Sequence, residues 1–405
     1  MNQIQQNLLA IMRCQLVGGK APQLNLTEII DVLKEAEDQT VFSSAFPFLQ
    51  GELKKLDQAE LIKQKKRYSW CVIINTANFL ENSELDALMT ESGIPYSTIK
   101  GLASAYYYPD PTLRDMGDVD FIVAPKDFER AKQAVLKAGF FIHHGEDDGD
   151  MHIAFHRMKY SVWELHRNYT VPPGEIGERI QKEIDSIIET SELITVESAA
   201  CRIPDAFHHG LIMLLHVASH MTNEGVSLRH LCDWAVFADK LGNDEFISIF
   251  KRKLTSFGLW KFAQILTLVS EKYLGINKKE WAQNPHITDE YIENLMDDIM
   301  SGGNFGRKDM NRYREIKYIS NRGEHKVDDK NVVSQLFSTL NQKTYTDYSW
   351  IEKRRVFLPI GWVAEGGKYL GLLISGKRKS SGTSAMLKEA SKRKSLYSQM
   401  ELFEA

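Results

Sequence analysis

The 405-residue chain has no apolar run long enough to cross a bilayer; its most hydrophobic stretches, VFLPIGWVA and YLGLLI, are too short. It also has little net charge, -4 at pH 7, so no global field draws it to nucleic acid or to an anionic membrane. Its four cysteines, Cys14, Cys71, Cys201 and Cys232, show no paired spacing, which gives no support to a zinc site or a disulfide framework and fits reduced thiols. The first residues, MNQIQQNLLAIMRCQ, lack the basic segment and apolar core of a secretory leader. A cytoplasmic protein without a transmembrane segment is expected.

Several catalytic signatures are missing too. His216 and His220 stand four apart in LLHVASHM, but no HExxH glutamate lies between them, which removes a zinc-protease mechanism. In SGGNFGRKD, Gly306 is followed by Arg307, so the Walker spacing is absent and a turn is expected. An HD-type metal phosphohydrolase needs an adjacent His-Asp pair, whereas Leu231 and Cys232 separate His230 from Asp233. His208 and His209 open a helix and read as exposed. GEDDGD lacks the length and the terminal glutamate of an EF-hand loop and reads as a solvated turn.

What is present, 43% hydrophobic and 26% charged residues, is the composition of a globular protein. Helical spacing of apolar residues predicts a helical N-terminal region over 1–92. Residues 93–200 change character. IPYSTIK and DVDFIVA are strand-like, PKDFERAKQAVLKAGF is an amphipathic helix ended by glycine, and GFFIHH, MHIAFHR and YSVWELHRNY read as a meander. Helical patterning returns over 201–345. Residues 346–405 form a C-terminal segment in which EKRRVFLPIGWVAEGGKYLGLLI is expected to pack on the core. The Lys-, Arg- and Ser-rich end reads as a solvated tail. That basic tail offers nucleic acid a point of contact, but no such partner is expected. The fold class expected is α+β: a mixed sheet between an N-terminal helical region and a C-terminal helical domain.

The most informative stretch is STIKGLASAYYYPDPTLRDMGDVDFIVAPKDF. Asp118 and Asp120 are two apart in a β-run, so both side chains leave one face of the sheet. Two close like charges are costly unless a cation holds them, and Mg²⁺ prefers such oxygen ligands and completes its shell with water and phosphate. Upstream, TIKG reads as a strand ending at Lys100 and Gly101 before the helix LASAYYY. A glycine there lets backbone N–H groups approach a phosphate, and Lys100 adds a full charge. Downstream, VWELHRN puts Glu164 on a strand face with Val162 and His166, as a third carboxylate.

The KG, YPDPTLRDMGDVDFIV and ELHRN elements resemble the nucleotidyltransferase superfamily that includes DNA polymerase beta. More closely they resemble a bacterial family of largely uncharacterised nucleotidyltransferases. The resemblance covers residues 95–170 and extends less sharply into LLHVASHMTNEGVSLRHLCDWAVF. It implies an Mg²⁺-dependent enzyme, with Mn²⁺ as a substitute, that moves a nucleoside monophosphate from an NTP, ATP first among them, to a hydroxyl of an unidentified acceptor. Asp118 and Asp120 would bind two ions, and Glu164 would help hold the one that activates the acceptor. His216, His220 and Asp233 would line the nucleotide or acceptor cleft. The sequence departs from the superfamily at the phosphate turn, where Gly101 is followed by Leu102 rather than by serine or glycine, and in the long gap from Gly101 to Asp118. Triphosphate contacts then fall to Lys100, Arg114 or Ser104. The rival from another class is a catalytically silent nucleotide-binding or scaffold protein with the same fold.

Overall fold

Polar caps and glycine stops divide the chain into its helices. The computed structural model describes residues 1–143, 152–169, 171–223, 225–303, 308 and 391–404. Asn2 and Asn25 form capping boxes at the starts of α1 (Gln3–Val17) and α2 (Leu26–Asp38), and Asp57 caps α3 (Gln58–Glu91) by accepting from the Glu60 N–H. After Ser92, Gly93 takes a left-handed φ of 62° and turns the chain into β1 (Tyr96–Thr98). The helix α4 (Gly101–Ala105) and β2 (Val119–Val123) follow, then α5 (Phe128–Lys137), stopped by Gly139 at φ 90°.

The sheet is completed by β3 (His152–Phe155) and β4 (Trp163–His166) in the order β1-β2-β4-β3. β1 is antiparallel to β2, β2 is parallel to β4, and β3 is antiparallel to β4. β3 and β4 pair antiparallel in the order of the expected meander, and the sequence did not show that β4 also lies parallel to β2, between it and β3. GFFIHH contributes only an isolated bridge, Phe141 to His156. The period-2 alternation explains the insertion. Val119, Phe121 and Val123 of β2, with Trp163 and Leu165 of β4, bury one face against Leu85, Met89, Phe128 and Val135. The alternate residues, Asp120 and Ile122 on β2, Glu164 and His166 on β4, therefore leave the opposite face.

The longer helices that follow are α6 (Glu175–Asp185), α7 (Ala206–Asn223), α8 (Leu228–Lys240), α9 (Trp260–Leu274) and α10 (Asp289–Gly302). Between α6 and α7 lies a hairpin the sequence patterning missed, Glu192–Val196 paired with Ala199–Ile203. Its turn residue Glu197 has φ 54° without the glycine or asparagine that usually marks such a turn. One large apolar cluster joins α1 and α2 to α7, α8, α9 and α10. The fold class is α+β.

Two expectations are corrected. His208 and His209 are buried, not exposed. His208 Nδ1 lies 2.8 Å from Asp205 Oδ1 and its Nε2 2.9 Å from the Glu183 carbonyl, while His209 stacks on Tyr107. The end of the chain is not a solvated tail: Met400 is fully buried, Tyr291 Oη donates to the Leu396 carbonyl, and the Phe403 N–H donates to the Gly258 carbonyl. The described residues up to 308 and those over 396–404 accordingly form one compact unit. The acidic turn GEDDGD, the segment NFGRKD apart from Lys308, the stretch EKRRVFLPIGWVAEGGKYLGLLI and the start of the basic tail lie outside the described residues. No helix among the described residues is long and apolar enough to cross a membrane.

Candidate active site

The polar face of β2 and β4 floors a cavity of about 310 Å³. Asp120 and Glu164 are direct partners in the β2–β4 register, so the two carboxylates are neighbours by construction. Asp118 lies one residue before β2, at the rim, with part of its surface in solvent and its carboxyl in the cleft. Lys100, Gly101, Ser104, Arg114, His216, His220 and Asp233 also line the cavity. All ten residues singled out in the sequence therefore meet in one place, together with His152, Arg229 and His230, which were not singled out as site residues.

Asp120 is the most constrained group. Its Oδ1 accepts from Lys100 Nζ at 2.7 Å and lies 2.9 Å from His166 Nε2. Burial alone would raise its carboxyl, but Lys100 and then His166 hold it well below the usual carboxylate range. Lys100 shows the reciprocal balance: burial lowers it, Asp120 raises it, and the net is upward, so it stays charged. The residue sits in a left-handed conformation, φ 60°, followed by Gly101 at φ 36°. Lysine rarely adopts that conformation. The turn after β1 thus directs a lysine onto Asp120 at a backbone position suited to glycine.

Asp118 behaves oppositely. Desolvation by the cleft walls, then repulsion from Asp120 and Glu164, push its carboxyl up to about 6. Polar residues on the buried side of α3 hold the loop that carries it. Asn75 Nδ2 donates to the Thr112 carbonyl at 2.9 Å, the Met116 N–H donates to Asn75 Oδ1 at 3.1 Å, and Asn78 Nδ2 donates to the Gly117 carbonyl at 3.1 Å. Below them, Glu81 accepts from the Ser161 N–H and from Trp163 Nε1, fixing the entry to β4. These asparagines and Glu81 went unread because polar residues on a helix ordinarily face solvent. Their i, i+3, i+6 spacing over 75, 78 and 81 is the signal that they share a face.

Arg114 and Asp233, expected as separate cleft residues, are bound to each other. Arg114 Nε and Nη2 donate to Asp233 Oδ1 and Oδ2, each at 2.7 Å, and Tyr108 Oη donates to Oδ1 at 2.8 Å. The pair is almost wholly buried, 4% and 7% exposed, and ties the loop before β2 to α8. Ser104 is also buried, leaving little of its surface for a ligand.

On α7 and α8, His216, His220 and His230 cluster with ring centroids 4.4 to 5.0 Å apart. Burial first, then the surrounding cations, drive His216 and His230 well below the ordinary imidazole value. A second group, Asp120, Glu164 and His166, places potential ligand atoms within 4.8 Å of one another.

Comparison with known proteins gives the family of the chain. The model of a family of uncharacterised nucleotidyltransferases matches residues 28–275, more than half of the chain, which places the protein among nucleotidyltransferases. The chain belongs to that family of uncharacterised nucleotidyltransferases. It is also similar to an antigenic nucleotidyltransferase-like protein from Paracoccidioides brasiliensis, known from a crystal structure, at 16% identity and a TM-score of 0.33, over 50% of this chain and 94% of that one. Comparison with curated proteins returned no match.

Two outcomes follow from this geometry. Arg114→Met should cost about 3–5 kcal/mol in urea denaturation, because it leaves Asp233 buried without its partner, and Arg114→Met combined with Asp233→Leu should cost less than the single change. Because the Asp118 carboxyl is raised in the folded state, ionising it opposes folding. Stability lost to it grows from its unfolded value, about pH 4, and is complete above about pH 6. Asp118→Asn should therefore melt higher than wild type above pH 6, and the two curves should meet below about pH 4; a gain independent of pH would contradict the assignment.

Proposed function

We propose that the protein transfers a nucleoside monophosphate from an NTP to a hydroxyl of an acceptor, with Asp118, Asp120 and Glu164 as its metal-holding carboxylates. The observation that carries the reading is the register pairing of Asp120 with Glu164 beside an Asp118 whose carboxyl is raised to about 6 by burial and by those same two charges. Such crowding is unfavourable in the free protein and is relieved by a bound divalent cation. The donor set, hard carboxylate oxygens on a rigid strand pair, fits Mg²⁺, with Mn²⁺ as its substitute.

Asp118 and Asp120 would hold two ions, with Glu164 helping to hold the one that activates the acceptor. When bound, Mg²⁺ screens the charge of the phosphates and lowers the pKa of a bound hydroxyl. The chain's own residues supply the rest. The acceptor oxygen forms a bond to the α-phosphorus, the α–β anhydride bond breaks, and pyrophosphate leaves with the bonding pair. Glu164, only partly buried and 3.6 Å from His166 Nε2, is placed to take the hydroxyl proton. Lys100 is held charged and adds positive potential to the cavity occupied by the phosphates. Arg114 and Asp233 are positioning residues that fix the loop before β2 against α8. Gly101, His216 and His220 would contact the nucleotide from the cavity wall, whereas Ser104 is too buried to do so. We place the reaction in the cytoplasm, where the four free cysteines stay reduced.

Calorimetric titration of ATP, GTP, CTP and UTP with and without Mg²⁺ tests this. Wild type should bind at least one of them only with metal, and Asp118→Ala and Asp120→Ala should each weaken that binding tenfold or more. The metal-dependent affinity of wild type should also fall as the pH drops below about 6, where Asp118 takes up a proton. Metal-dependent binding unchanged in both variants, or none to wild type, would overturn the proposal.

A further inference from the structure

The cavity wall formed by α7 and α8 holds Arg229 and His230, which the carboxylate chemistry does not use. The three histidines at first suggest a transition-metal site, since each offers a nitrogen within 4.8 Å of the others. Hydrogen bonding at His230 argues against it. The Ser227 N–H, which can only donate, points at His230 Nδ1 at 3.2 Å, as the cap of α8. Nδ1 is therefore an acceptor, and the ring hydrogen sits on Nε2. A neutral imidazole in that state has no free lone pair for a metal, which leaves two histidines where a structural or catalytic zinc needs at least three protein ligands. His230 is instead fixed as a hydrogen-bond donor.

Beside it, Arg229 lacks a carboxylate contact among the described residues although two carboxylates are near. Both oxygens of Asp233 are taken by Arg114, with Tyr108 on one of them, and those of Asp115 accept from the Ser43 N–H and hydroxyl. Arg229 Nη1 reaches only the Asp115 carbonyl, at 3.2 Å, and its Nε is closed off from solvent with no hydrogen-bond partner. An N–H shut off from water without an acceptor is costly, and Asp115 and Asp233 balance the charge of Arg229 only from a distance, so an anion that arrives with the ligand can supply the missing contact. Arginine's planar fork suits a phosphate in particular.

We propose that Arg229 and the Nε2–H of His230, with His216 and His220 beside them, form a phosphate-binding wall in the cavity that the carboxylates floor. The site needs no metal, because its charges come from side chains alone. It deepens the nucleotidyltransferase reading, on which the identity of the phosphate rests: the group belongs either to the NTP or to a phosphorylated acceptor.

Tripolyphosphate titrated in EDTA at low ionic strength should bind wild type, and Arg229→Met should weaken that binding at least tenfold. Arg229→Lys, which keeps the charge, should retain most of it, and His230→Gln should weaken it several-fold. Thermal melting of each variant separates these effects from loss of fold. Titration with Mg²⁺-ATP then assigns the source. Affinity for ATP falling together with that for tripolyphosphate places the nucleotide's phosphates on Arg229, whereas unchanged ATP affinity with weakened inorganic phosphate binding places the acceptor's there. Either result supports the site. Tripolyphosphate binding unaltered in a folded Arg229→Met, or absent from wild type, overturns it even if Mg²⁺-ATP still binds through Asp120. Metal-free binding lost in Arg229→Met but no metal-dependent NTP binding would instead keep the site and overturn the nucleotidyltransferase reading.

Discussion

A single carboxylate, Asp120, organises the centre of this molecule. It is buried at the middle of the sheet, and a charge there is tolerable only with partners in place. Lys100 comes from the turn after β1, His166 from β4, and Glu164 from the register position directly beside it. Each of these requirements fixes another part of the fold. The lysine demands a left-handed turn residue, the histidine demands that β4 lie against β2, and the apolar alternates Phe121, Trp163 and Leu165 hold that pairing from the other face. Cleft chemistry and sheet topology are thus set by the same strand alternation.

The second buried ion pair distributes charge around the cavity. By taking both oxygens of Asp233, Arg114 leaves Arg229 without a hydrogen bond to a carboxylate among the described residues, so the cavity has an acidic floor on the sheet and a cation on α8. A ligand carrying both a metal-chelated phosphate group and free phosphate oxygens complements this arrangement. The balance also explains the opposite shifts of the two aspartates: Asp120 is paired with Lys100 and His166, while at Asp118 desolvation and the charges of Asp120 and Glu164 outweigh Lys100 and Arg229, so it gains most from a cation. Stability of the free protein is sacrificed at Asp118 for that site.

DVDFIV and WELH were legible because period-2 alternation states directly which residues leave which face, and the family resemblance supplied the carboxylate roles. The ten candidate residues converge on one cavity. Pairing between them was not legible, since nothing in TLRDMGD or HLCDWAVF says that Arg114 and Asp233 satisfy each other across 119 positions. Burial of polar residues was equally hidden. Asn75 and Asn78 look like the solvent face of a long helix until the loop they clamp is known, and His208 looks like an exposed helix start until Asp205 and the Glu183 carbonyl close around it. The Lys- and Ser-rich end misled because its few apolar residues, Met400 foremost, are the ones that anchor it. The hairpin at 192–203 was missed because its turn, Glu197-Ser198, carries neither the glycine nor the asparagine that marks a left-handed hairpin turn.

The most direct test of the central claim is a crystal structure grown with Mn²⁺ and a non-hydrolysable ATP analogue, read by anomalous scattering at the manganese edge. The account predicts manganese peaks within about 2.5 Å of carboxylate oxygens of Asp118 and Asp120, with phosphate oxygens completing the shell. A peak held by His216, His220 and His230, with none at the carboxylates, would contradict it.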